Sequence, residues 1–287
     1  MAGSRRGAIE WPRHGQSGDA PVWVAICRKR LGAGVSANTS RVLATAPVAR
    51  SVFWLMVTMV AWELFQGLRA SAPVPEGSWA LTPFDLVFLV LLPALTAFAF
   101  TRLFLVITQS SRGTLNVYSV ISSPLAWMFW VGLGIGMIGH GVHLAGNAAQ
   151  RALPAVFEQG EFAAKIAFLD ARLGYFLLGL GFFLATLAIL ILGQGVGQRI
   201  SGAERLLFVL GSLATYGVVL IYLGVGGKQI IPAIAASVIL SAVSFWTLPP
   251  SEITRDPIGA LVMPGTFLAG VALIVWTLVV GGQPTWP

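Results

Sequence analysis

Seven runs of apolar residues, each long enough to cross a bilayer as a helix, dominate this chain. They cover roughly 51–69, 83–107, 124–148, 168–192, 205–224, 229–248 and 258–281, and a spanning helix needs about 20 such residues. In hydrocarbon every backbone N–H and C=O must be satisfied within the protein, so runs of this length fold as helices. Composition agrees: 56% of the residues are hydrophobic and 10% are charged, against about a quarter charged in soluble domains. The fold class is therefore all-α, a polytopic transmembrane helix bundle of about seven spans. Short pieces carrying Pro, Gly, Ser and charge separate the runs. The longest connection, 149–167, holds Glu161 and Lys165 four residues apart, with Phe162, Ile166 and Leu169 on another face. That pattern predicts a short interfacial helix running into the fourth span.

The net charge of +7 belongs to the amino-terminal segment. Residues 1–50 hold eight Lys and Arg against Glu10 and Asp19, and the remaining chain holds ten basic residues against nine acidic ones. Residues 1–48 are expected to form a disordered basic cytoplasmic tail, and 49–287 a seven-span transmembrane domain. Basic segments stay inside and are drawn to anionic lipid, which predicts a multi-pass protein of the cell membrane with a cytoplasmic amino terminus and the carboxyl terminus outside. The tail has no interleaved aromatic pattern, so no nucleic-acid partner is expected. Cys27 is the single cysteine, which excludes an intrachain disulfide framework and a thiolate metal cluster. Gly193-Gln-Gly-Val-Gly and Gly226-Gly-Lys228 lack the strand context and spacing of nucleotide loops. Gly132, Gly136 and the glycines from Gly174 to Gly181 instead predict close helix packing. Pro232 and Pro264 are positions where helices six and seven can break.

Polar groups within the spans carry the functional signal, because a charged side chain there costs about 2.5 to 3.5 kcal/mol on insertion scales. Glu63 lies inside the first span, Asp85 opens the second, His140, His143 and Asn147 close the third, and Asp170 and Arg172 open the fourth. Successive spans run in opposite directions, so all of these fall near one face of the membrane. His140 and His143 are three residues apart and Asn147 is four beyond, which places them on one stripe with Gly136. Two imidazoles at that spacing can ligate one ion, and imidazoles with carboxylates suit Zn, Mn or Fe. The resulting site has His140, His143 and Asp170 as metal ligands and Glu63 as a ligand or catalytic base. Asp85, Asn147 and Arg172 support it. A divalent ion, zinc first, is the implied cofactor.

Each residue also has a structural reading. The histidines can act as polar glue between helices, as a proton relay or as pigment ligands. Asp170 suits a helix amino terminus or a partner for Arg172 or Arg151. Thr82-Pro83 ahead of Asp85 reads as a helix cap. Trp62 and Tyr175 read as interface anchors. Glu63 has no such role and needs a partner or a proton.

The leading functional expectation is a metal-dependent membrane enzyme, a hydrolase of lipid-like substrates, in which the ion activates a bound water. In outline the arrangement is similar to the seven-helix membrane hydrolases that include alkaline ceramidases and adiponectin receptors, which use histidines, an aspartate and a zinc-bound water. Those carry three histidine ligands where the spans here hold two, and no residue role is carried over. The alternatives are a proton- or ion-coupled transporter using the same groups as a relay, and a non-catalytic helical subunit whose partners are other chains of a membrane complex.

Overall fold

The computed structural model describes residues 45–71, 87–112, 120–152, 160–193 and 199–281. Within them the chain forms seven apolar helices long enough to cross a membrane, as the seven runs require. They are α1 (Thr45–Ser71), α2 (Leu92–Arg112), α3 (Pro124–Ala152), α4 (Glu161–Gly193), α5 (Gly202–Gly226), α6 (Ile230–Thr247) and α7 (Pro257–Val280). Among the described residues there is no strand. The tail assignment falls almost wholly outside the described residues, although α1 is already helical at Thr45. Large apolar side chains cover the outer surface of the bundle: Leu278 and Val279 are 78% and 79% exposed. An outside that apolar suits hydrocarbon and not water.

The fourth span differs instructively from its sequence outline. The short helix expected ahead of it is present, with Lys165 Nζ 2.6 Å from Glu161 Oε1, but it continues into the span as one helix through a π-helical turn, Phe168–Gly174. A π turn resets the helical phase by one residue and is common at functional sites. Similar turns occur at Val87–Leu91, Leu213–Gly217 and Tyr222–Gly226.

Neither proline breaks its helix, contrary to expectation. Pro232 lies in the first turn of α6, where an N–H has no helical acceptor anyway. Pro264 lies inside α7, and Ser212 of α5 bonds the backbone on either side of it: its Oγ accepts from Gly265 N at 2.7 Å and donates to Val262 O at 3.4 Å. Side-chain hydroxyls from neighbouring helices are one way in which membrane helices tolerate proline.

The helix termini are set by local chemistry. Ser201 and Glu204 form a reciprocal capping box at the start of α5. Asp256 caps α7, accepting from Ile258 N and Gly259 N at 2.9 and 2.8 Å. At the same end Glu252 pairs with Arg199 at 3.1 Å and Arg255 at 3.4 Å.

The apolar core occupies the half of the bundle where α1, α3, α5 and α7 begin. Phe104 stacks on Phe129 with ring centroids 4.2 Å apart, among Val52, Leu55, Ile107 and Leu261. The opposite half holds Glu63, His140, His143 and Asp170. α3 and α4 approach there at backbone distance, as the glycine pattern predicted. A Cβ on Gly181 would collide with the backbone of Gly136, and one on Gly139 with the backbone N of Leu178.

Candidate functional site

That close approach builds the site. A Cβ added to Gly146 would come within 2.5 Å of Asp170 Cβ, and one added to Gly174 within 2.9 Å of His143 N. With no side chain between the helices, Asp170 in the π turn of α4 reaches His143 of α3, Oδ1 to Nδ1, at 2.5 Å. The two residues are 8% and 9% exposed. At this spacing the pair is a charge-assisted hydrogen bond between buried groups.

His140 sits one turn away, 3% exposed, with Trp62 of α1 edge-on to its ring at 5.0 Å. Tyr175, the first residue after the π turn, lies against the His143 ring with centroids 4.4 Å apart. Its hydroxyl meets that of Tyr222 from α5 at 2.7 Å. The start of α6 is tied to the same end: Gln229 Nε2 donates to Arg172 O at 3.2 Å.

These side chains enclose a cavity of about 80 Å³ lined by Glu63, Thr96, His140, His143, Tyr175 and Tyr222, with Met59, Leu178 and Phe182 as apolar wall. At about 30 Å³ per liquid water the space holds a few waters or one small polar group. Glu63 makes no ion pair or hydrogen bond among the described residues. Thr96 Oγ1 is buried with no hydrogen-bond partner, although Thr108 on the same helix satisfies its own hydroxyl on the carbonyl of Phe104.

The structure thus gathers Glu63, His140, His143 and Asp170, four of the residues singled out from sequence. Arg172 contributes its carbonyl while its side chain is exposed. Asp85 and the side chain of Asn147 lie outside the described residues. Trp62 and Tyr175 both contact the histidine rings, and Tyr175, 8% exposed, is buried there and is not an interface anchor. Thr96 and Tyr222 are additions that sequence reasoning missed. Neither carries a charge, and hydroxyls are common in membrane helices, so only their position distinguishes them.

The metal expectation finds less support. Among the described residues no three of His, Cys, Asp and Glu are grouped to hold an ion. Asp170 presents Oδ1 to the imidazole of His143, the position of a residue that orients a histidine and not of its co-ligand. What the arrangement offers directly is acid–base chemistry: an imidazole held by a carboxylate, facing a second carboxyl group across a small cavity. No family model matches the chain, and no curated protein and no solved structure matches it either.

Proposed function

We propose that this protein is a membrane-embedded hydrolase of lipid-like substrates that works by acid–base catalysis. The observation that carries the reading is the buried Asp170–His143 pair, whose imidazole lines a small cavity together with Glu63. A neutral His143 that donates from Nδ1 to Asp170 keeps its Nε2 basic, and Asp170 stabilises the imidazolium that forms when Nε2 takes a proton. A water in the cavity gives its proton to Nε2 and its oxygen attacks the substrate's carbonyl carbon. Glu63 supplies the proton that the leaving oxygen or nitrogen needs as the carbonyl bond breaks. A positioned base of this type contributes about 10²- to 10⁴-fold in rate. The basic tail supports an orientation in which the histidine-bearing end faces outward, so the substrate would come from the outer leaflet.

The test is untargeted lipid mass spectrometry of membranes expressing the wild type, His143→Gln or Asp170→Asn. A lipid class consumed by the wild type and spared by both variants, at equal folded protein, supports the reading. Identical lipid profiles in all three membranes overturn it.

A further inference from the structure

A second cavity adjoins the one lined by the histidines. It measures about 190 Å³ and lies between α4 and α6, with Phe176, Leu180 and Phe183 on one side and Pro232, Ala236 and Ile239 on the other. Phe176 and Ile239 are 42% and 43% exposed and Ala235 is exposed too, so the cleft opens sideways, at the level of the hydrocarbon. Small residues make the concavity: Gly179, Ala233, Ala235 and Ala236 all line it. On α4 it runs from Tyr175 to Phe183 and on α6 from Gln229 to Ile239, a depth of about 12 to 15 Å at 1.5 Å per residue.

Three observations select its occupant. Tyr175 and Leu223 belong to the walls of both cavities, so the cleft ends where the histidine-lined chamber begins. The polar lining is confined to that end, at Tyr175 and Gln229, while the remainder is apolar. The volume also matters: a dry apolar cavity of about 150 Å³ takes a benzene-sized molecule, so this one takes a segment of one alkyl chain and not two side by side. Beyond Tyr175, the buried unpartnered hydroxyl of Thr96 lines the histidine-lined chamber, and a buried hydroxyl is stabilised by a polar ligand atom.

We infer that the cleft between α4 and α6 binds one alkyl chain of an amphiphile, whose polar group passes Tyr175 and reaches Thr96 and His143. The inference rests on the proposed hydrolase in naming this ligand as its substrate, and it assigns that substrate to lipids that present a single chain to the protein.

The test uses the wild-type full chain in phosphatidylcholine nanodiscs, labelled with a photoreactive palmitate, which the proposed hydrolase does not cleave, and mapped by peptide mass spectrometry. Label should concentrate between Phe176 and Phe183 and between Pro232 and Ile239. Unlabelled palmitate should displace it, while extra phosphatidylcholine should not. Ala236→Phe fills the cleft and should remove the label; Ala235→Phe, at an exposed position, does the same with less demand on packing. Equal labelling of the outer face of α7 around Leu278 and Val279, displacement by phosphatidylcholine, or label that survives both substitutions overturns the inference. Failure of the hydrolase reading looks different: the cleft labels as expected, but no lipid is consumed by the wild type. Conversely, undiminished His143-dependent turnover in Ala236→Phe removes the cleft and leaves the catalytic site standing.

Discussion

Asp170 Oδ1 and His143 Nδ1 lie 2.5 Å apart because Gly146 and Gly174 leave no side chain between the helices that carry them. The contact joins a π turn to a regular helix, and both partners are nearly excluded from the surroundings. Removing one member of such a buried pair costs about 3 to 5 kcal/mol, whereas replacing both with apolar groups can be neutral. His143→Ala should therefore lower the melting temperature in detergent markedly, and the double variant His143→Phe with Asp170→Leu should recover most of the loss. Additive losses in the double variant would show that the pair is not coupled. Both variants should be inactive, since Asp170→Asn alone should cost about 10²-fold or more in turnover by releasing the imidazole.

The two glycines flanking His140 should behave in opposite ways. A Cβ on Gly139 meets the backbone of Leu178 and Gly174, while one on Gly141 meets nothing within 4 Å. Overpacking against backbone that cannot move costs about 1 to 3 kcal/mol, so Gly139→Ala should destabilise the bundle. Gly141→Ala should leave the melting temperature unchanged or slightly raised. A matched loss in both would remove close packing as the reason for Gly139.

Thr96→Val should separate stability from activity. The buried hydroxyl of Thr96 has no hydrogen-bond partner, and an unsatisfied buried polar group costs about 1 to 3 kcal/mol. The isosteric apolar variant should melt higher while substrate turnover falls. The control is Thr108→Val, which removes a hydroxyl bonded at 2.8 Å to Phe104 O and should give no stabilisation. A lower melting temperature for Thr96→Val would contradict the assignment.

Asp256 predicts a pH dependence remote from the site. Burial raises its carboxyl from the ordinary 3.8 to about 6, against the two backbone N–H groups of Gly259 and Ile258 that favour the charged form. The folded state therefore binds the proton more tightly than the unfolded state. The associated stability is full below about pH 4 and is lost as pH rises to about 6, by up to about 3 kcal/mol. Thermal melts across that range should show the decline, and Asp256→Asn, which keeps a capping oxygen, should flatten it.

The covalent pattern alone determined the architecture. Seven apolar runs of bilayer length admit little besides seven helices, because an unpaired backbone amide in hydrocarbon is too costly. The same reasoning brought Glu63, His140, His143 and Asp170 to one end, since antiparallel spans put alternate termini together. The glycines of α3 and α4 were legible as packing surfaces for a similar reason: small residues in an apolar helix serve close approach. What the sequence left open was partnership. Helical phase assumed 3.6 residues per turn and did not foresee the π turn at Phe168–Gly174 that carries Asp170, nor that Asp170 would bond His143 itself. Tyr175 looked like an interface anchor because composition cannot distinguish a ring that faces headgroups from one that faces an imidazole. Thr96 and Tyr222 gained meaning only when three other helices closed around them, and the cleft beside α6 exists only between helices. Periodicity sets which element forms and at what depth, but the direction of a side chain and the space beside it are properties of neighbours that are distant in sequence.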